Sequence, residues 1–183
     1  MIKKLTGPGR FYTVPWFMAL LTAVALFACP AASSAAVKTV TVGSAGGTTS
    51  FMPVCMSWHD TWSESVYTAD MLSGVPVGSK IKGIAHMGVS GKAVEDIDYK
   101  VYVAPTASSS APAEMSDVSS FTSLFDGQTS LAVSESMSVM APILYVPAQE
   151  DFVYEGGNLH FVIKASIPEA GSVMFAQQTL SNG

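Results

Sequence analysis

The stretch that decides the fold is Leu159-His160-Phe161-Val162-Ile163-Lys164-Ala165, which follows the turn Gly156-Gly157-Asn158. Its odd-numbered positions are all apolar, whereas the even-numbered positions include a histidine and a lysine. Side chains alternate between the two faces of a β-strand, so this pattern predicts a strand with one face in a hydrophobic core.

The same period of two recurs along the chain. Further strands are predicted at 37–42, 79–87 with a kink at Gly83, 98–104 and 171–177. Asp126-Gly127 predicts a tight hairpin turn between two more runs, 121–125 and 129–133. Pro142 and Pro147 are expected to interrupt strands, and the only stretch that resembles a helix start is 112–118.

Many short strands separated by regular turn signals predict an all-β protein. We expect an antiparallel β-sandwich of the jelly-roll type, with an immunoglobulin-like sandwich as the alternative. The chain has two cysteines, and Cys29 falls in the N-terminal export signal described below. Cys55 is then alone in the domain and can form no disulfide within it, so the fold must depend on core packing.

The first 36 residues have the pattern of an export signal. Lys3, Lys4 and Arg10 precede an uncharged stretch, 11–37, whose centre is apolar and whose end is rich in small residues. This pattern predicts a secretory signal peptide over 1–36 and one domain over 37–183. The expected localisation is therefore secreted or at the surface of a bacterial cell.

Two alternatives for this segment stay open. Leu26-Phe27-Ala28-Cys29 is similar to a bacterial lipobox, in which case Cys29 would carry a lipid and the product would be an outer-membrane lipoprotein. The apolar stretch could instead remain uncleaved as an anchor, although it is short for a membrane span. A membrane partner is expected only through one of these routes.

The charge of the chain excludes several kinds of partner. The 183 residues contain 9 basic and 14 acidic side chains, for a formal charge of −5. After residue 36 there remain six lysines and no arginine against all 14 acids, a charge of −8. Nucleic acids are held chiefly by Lys and Arg, so no nucleic-acid partner is predicted. Bidentate recognition of phosphate or carboxylate by arginine is also unavailable to the domain, which argues against kinase-like, nucleotide-binding and acidic-ligand functions.

The residues do not form a recognisable catalytic motif. His59, His86 and His160 lie in separate segments, and no Cys/His spacing typical of a metal site is present. The chain also has no G-x-S-x-G nucleophile elbow. We therefore predict a protein that is not an enzyme, with a hydrolase whose site is scattered in sequence as an alternative.

Trp58-His59-Asp60-Thr61-Trp62 is the strongest candidate for a binding site. Flat indole rings stack on the C–H faces of sugars, while His and Asp side chains bond sugar hydroxyls. Trp58, His59, Asp60 and Trp62 are accordingly predicted to bind a ligand such as a glycan. The alternative is that one or both tryptophans fill the core.

Two acidic stretches could bind calcium, which takes six to eight oxygen ligands. The first is Glu95-Asp96-Ile97-Asp98, with Glu95, Asp96 and Asp98 as ligands, and the second is Glu150-Asp151 with Glu155 and Asn158. A solvated turn is the alternative for each stretch. No cofactor other than calcium is predicted.

A series of short runs carries a resemblance to a known family. They are Tyr67–Leu72, Gly78–Ala85, Lys100–Thr106, Leu124–Gly127 and Phe152–Leu159. In this order they resemble a β-sandwich module of secreted and surface Bacteroidota proteins, where it accompanies adhesin-like, immunoglobulin-like or peptidase domains. The resemblance implies a non-catalytic binding or adhesion role toward a glycan or a surface protein. A structural subunit that assembles through its edge strands is the alternative.

Overall fold

The computed structural model describes residues 37–42, 47–49, 53–55, 57–168 and 173–177. Contacts separate Lys38–Gly183 as a compact unit from Met1–Val37. The predicted leader, including Cys29, lies outside the described residues, so its cleavage and lipidation stay predictions.

Eight β-strands make up the regular structure. They are β1 (Gly47–Thr49), β2 (Asp60–Tyr67), β3 (Lys80–Ser90), β4 (Val94–Thr106), β5 (Thr122–Leu131), β6 (Ala141–Val153), β7 (Asn158–Ser166) and β8 (Val173–Gln177). The described residues contain no helix, so none among them is long and apolar enough to cross a membrane. The prediction of an all-β fold is confirmed.

The strands form one antiparallel sheet in the order β1-β8-β3-β6-β5-β4-β7-β2. Ladder pairing between β5 and β6 is limited to one residue pair, Leu131 with Leu144. The sheet therefore divides into a β3 half (β1, β8, β3 and β6) and a β4 half (β5, β4, β7 and β2). Apart from β5 and β4, neighbouring strands within each half come from distant parts of the chain. This order is typical of jelly rolls and differs from the immunoglobulin order, and the packed sandwich stays a prediction.

The core lies where the two halves of the curled sheet meet. Tyr99, Val101 and Val103 on β4 are fully buried, as the alternation of that strand predicts, and they join one cluster with residues of β3, β6, β7 and β8. The Tyr99 hydroxyl lies 3.1 Å from Nε2 of His86 on β3, a strand of the other half. Cys55 is also buried, as expected for a small apolar side chain.

Two local predictions about strands and turns are wrong. Asp126-Gly127 makes no hairpin, because β5 continues through it with Asp126 opposite Lys100 and Gly127 opposite Tyr99. Pairing along the whole of β4 outweighs the local turn preference of the dipeptide. Residues 37–42 form no strand, although their β-branched alternation predicts one.

The prolines and the predicted helix start also behave differently from expectation. Pro142 and Pro147 lie inside β6, opposite Met87 and Gly83 of β3. Both positions adjoin register shifts, where a residue without an N–H is tolerated. One of these shifts lies beside Gly83, where the sequence predicts a kink. Residues 112–118 contain no helix.

Candidate functional site

The outer face of the β4 half collects the chemically distinctive side chains. Trp62 on β2 is opposite Lys164 on β7, and Lys164 is opposite Lys100 on β4. In the neighbouring row, Ser166 of β7 is paired with both Asp60 and Asp98. Paired residues project from the same face of a sheet, so the two rows form one surface opposite the core.

This surface contains a shallow groove with a volume of about 430 Å³. The lining combines an indole ring, two ammonium groups, two carboxylates and the hydroxyl of Ser166, whereas the Thr61 hydroxyl is hydrogen-bonded to the Cys55 backbone. The lining residues are Asp60, Thr61, Trp62, Asp98, Lys100, Met115, Lys164, Ala165 and Ser166. The two carboxylates come from strands on either side of β7, so their backbones are about 10 Å apart. We refer to this feature as the outer-face groove.

Two aromatic rings hold the ammonium group of Lys164. Its Nζ lies 3.8 Å from the centroid of the Trp62 ring and 5.4 Å from that of Tyr102. A cation above an aromatic face is attracted by the ring quadrupole, which fixes the ammonium in the groove. With the described residues, this ammonium forms no hydrogen bond and no salt bridge.

Lys100 is held differently. Its Nζ donates a hydrogen bond of 2.9 Å to Oδ2 of Asp126 on β5. That hydrogen bond and the negative charge of Asp126 raise the pKa of the Lys100 ammonium. The lysine therefore already has a carboxylate partner within the protein.

A nearly buried carboxylate, that of Glu64, supports the groove from one side. Oε1 of Glu64 accepts hydrogen bonds from Trp62 Nε1 and the Ser116 backbone N–H, both at 2.8 Å. Oε2 accepts one from the Ser116 hydroxyl at 2.7 Å and lies 2.8 Å from His160 Nε2. Burial raises the pKa of the Glu64 carboxyl, but the hydrogen bonds from Ser116, Trp62 and His160 outweigh this effect and hold it below its usual value.

The Glu64 network also fixes the segment between β4 and β5. Ser116 belongs to this segment, 107–121, as does Met115 at the edge of the groove. The Phe121 ring meets the His160 ring edge-on, with centroids 5.3 Å apart. As a result His160 is only 8% exposed, although its phase on β7 predicts a solvated side chain. The alternation of the strand cannot show this burial, because the covering segment lies elsewhere in the chain.

The predicted aromatic site is divided by the structure. Asp60 and Trp62 line the groove, whereas Trp58 and His59 do not. The Trp58 side chain is 63% exposed, and His59 Nδ1 lies 2.9 Å from the carbonyl oxygen of Ile167. The alternative of tryptophans in the core is wrong for both residues, because Trp62 is half-buried on the outer face.

The first predicted calcium site is dispersed along β4. Asp98 lines the groove, whereas Glu95 and Asp96 are exposed at a register shift that precedes it. Asp96 has a positive φ of 54° at this irregularity. No group of three or more His, Cys, Asp or Glu side chains in the described ranges is arranged to hold a metal ion.

The second acidic stretch has other partners in the structure. Asp151 forms salt bridges with Lys80 and Lys82. Asn158 accepts a hydrogen bond from the Ala69 N–H and donates one to the Ser108 carbonyl oxygen, both 2.8 Å long. These side chains connect elements of the fold, and calcium binding stays a prediction without a described site.

Sequence reasoning missed the lysines of the groove. Lys100 and Lys164 lie 64 positions apart in the chain and meet only because β4 and β7 are neighbours. Each lysine alternates with apolar residues on a predicted strand, which indicated that both side chains point away from the core. Their pairing depends on the strand order, which no local pattern encodes.

Comparisons with known proteins identify no relative. No family model matches the sequence, and neither the curated proteins nor the solved structures contain a significant match.

Proposed function

We propose that the chain is an exported, non-catalytic binding module whose outer-face groove binds a glycan. The observation that carries this proposal is the grouping of Trp62 with Asp60 and Asp98 on a solvent-facing sheet surface. An aromatic ring on this surface contributes little to the core. The Lys164 ammonium lies over one face of this ring. The rest of the ring, beside hydrogen-bonding groups, suits a ligand that has both apolar faces and hydroxyls.

The chemistry of the groove agrees with sugar recognition. The carboxylates of Asp60 and Asp98 accept hydrogen bonds from hydroxyls, the ammonium groups of Lys100 and Lys164 donate them, and the Ser166 hydroxyl does both. The hydrogen bond from Trp62 to Glu64 fixes the indole before a ligand arrives. Binding then costs less ordering of side chains.

The proposed location is outside the cytoplasm, at the cell surface or in the medium. The basic and apolar pattern of 1–36 supports export, and the resemblance to Bacteroidota surface modules supports an adhesive role. Lipidation at Cys29 is the variant of this proposal in which the module remains attached to the outer membrane.

The alternative role, assembly through edge strands, has one observation in its favour. β2 is the last strand in the sheet order, and among the described residues its only strand partner is β7. An unpaired edge is a template for a strand of another chain. Crosslinking of native cell envelopes tests this role, because a ladder of multimers supports it and a monomer contradicts it.

A glycan array tests the proposed function. We expect the purified protein to bind a defined set of glycans and Trp62→Ala to lose at least tenfold in affinity. The melting temperature of the variant should fall by only a few degrees. Trp58→Ala is the matched control, because it removes an exposed indole outside the groove and should bind normally. Equal losses in both variants, or no binding by the protein itself, would contradict the proposal.

A further inference from the structure

Two lysines occupy directly opposite positions in the outer-face groove. Lys100 and Lys164 form a cross-strand pair between β4 and β7. Like charges at such positions destabilise a sheet. Asp126 neutralises Lys100, whereas the described residues provide no carboxylate within salt-bridge distance of Lys164. The carboxylate of Asp117 acts on Lys164 from beyond salt-bridge distance, and the two aromatic rings offset part of the repulsion. Lys164 is nevertheless without an ion-pair partner at salt-bridge distance among the described residues.

The Lys164 ammonium is held in place but keeps its hydrogen-bonding capacity. The rings of Trp62 and Tyr102 attract it through their π faces, and none of the described residues accepts a hydrogen bond from its three N–H donors. Its side chain lines the groove and is half-buried. A fixed cation with unused donors is well suited to a ligand anion, because little side-chain freedom is lost on binding.

We propose that the groove selects sugars that carry a carboxylate, as in uronic and sialic acids, and that Lys164 binds this group. This inference rests on the proposed glycan-binding function. The ammonium of Lys164 forms charge-assisted hydrogen bonds with the carboxylate, while Asp60 and Asp98 accept hydrogen bonds from neighbouring hydroxyls. The same two aspartates repel ligands with several negative charges, which favours one carboxylate over a densely sulfated sugar.

Matched pairs of ligands test this selectivity. The first pair is a galacturonic-acid oligomer and its methyl ester, the second is a sialylated glycan and its asialo form, and a polysulfated oligosaccharide is added as a third probe. We expect the acidic member of at least one pair to bind about tenfold more tightly than its neutral partner. The sulfated probe should bind more weakly than that acidic member.

Variants assign the selectivity to one residue. Lys164→Met keeps an unbranched side chain against the rings but removes the charge, so the preference for the acidic sugar should disappear while neutral sugars still bind. Lys164→Arg keeps the cation and should retain the preference. Lys82→Met, a half-exposed lysine on β3 in the other half of the sheet, is the control for the change in net charge. Thermal melting of each variant verifies that it is folded.

The outcomes separate this inference from the proposed function. Loss of the preference in Lys164→Met alone supports the assignment. Equal binding of acidic and neutral partners, tighter binding of the sulfated probe, or a preference that persists in Lys164→Met would overturn the inference and leave glycan binding intact. Failure of every sugar to bind would overturn both.

Discussion

Glu64 is the residue that joins the groove to the segment that covers the sheet. Its two oxygens receive hydrogen bonds from Trp62 on one side and from Ser116 and His160 on the other. A carboxylate with only acceptor sites matches this ring of donors, and an amide does not. The charge of Glu64 is therefore part of the structure of the site.

We predict that Glu64→Gln lowers the free energy of unfolding by about 2–3 kcal/mol, because the amide group would face donors that then lack an acceptor. Urea denaturation measures the change. Glu95→Gln is the control, since Glu95 is exposed and its substitution should change stability by less than about 0.5 kcal/mol. A Glu64→Gln variant as stable as the wild type would contradict this account of the network.

Acid should weaken the same network. The pKa of Glu64 is below its ordinary value of 4.5 in the folded protein, so its charged form adds stability above pH 4.5 and loses that contribution as the pH falls further. Segment 107–121 should then exchange its amide hydrogens faster at pH 3.5 than at pH 6, after correction for intrinsic rates. Unchanged protection of the Ser116 amide would contradict the prediction.

His86 makes stability depend on pH in a higher range. Burial lowers its pKa from 6.5 to about 4, so the unfolded chain binds a proton between these values and the folded protein does not. The contribution of neutral His86 to the free energy of unfolding is fully present above pH 6.5 and declines as the pH falls toward 4. We expect the wild type to lose about 2 kcal/mol between pH 7 and 4.5 relative to His86→Gln.

Denaturation of both proteins at the two pH values gives this difference directly. His86→Gln can still hydrogen bond to the Tyr99 hydroxyl, and Glu64 is the same in both proteins, so the comparison isolates the histidine. Parallel losses of stability in the two proteins would show that His86 does not titrate in this range.

At the scale of elements, close backbone approach explains two glycines in β3. A Cβ at Gly88 would lie 2.7 Å from both the Ile143 Cδ1 and the Met174 carbonyl oxygen, and one at Gly83 would lie 2.7 Å from the Val146 carbonyl oxygen. Backbone atoms cannot move aside as a flexible side chain can. The absence of a Cβ at these two positions therefore allows β3 to pack closely against β6 and β8.

Gly88→Ala should therefore destabilise the protein by about 1–3 kcal/mol, as overpacking does in other cores. Gly91→Ala, only three residues further, is the control, because a Cβ there would meet no atom within 4 Å. Chemical denaturation of the two variants gives the comparison. Equal stability would contradict the packing proposed for β3.

Local sequence patterns predicted some elements well and others poorly. The alternation in β4 and β8 identified their buried faces, because one side of each strand packs in the core. In β7 both faces are buried from Leu159 to Ile163, so the alternation there showed only one of them. Asp126-Gly127 gave a false turn, since partners on a neighbouring strand decide whether a dipeptide bends the chain. The alternation at 37–42 likewise has no strand to pair with in the structure.

At the scale of the whole molecule, the fold class follows from composition and period, whereas the site does not. The groove joins β2, β4 and β7, which are neighbours only in the jelly-roll order. Asp60, Trp62 and Asp98 belong to two of the three predicted sites, and the sequence assigned those two sites to different ligands. Lys164 became a candidate only when the strand order placed it beside both Trp62 and Lys100.

The most direct test of the central claim is to observe the two indole groups of the folded domain during ligand binding. Nitrogen-15 labelling of tryptophan gives indole N–H signals for Trp58 and Trp62, which Trp58→Ala and Trp62→Ala assign. On titration with the tightest glycan from the array, we expect the Trp62 signal to shift to saturation and the Trp58 signal to stay within the line width. A saturable shift of Trp58 with an unmoved Trp62 would contradict a binding site in the outer-face groove.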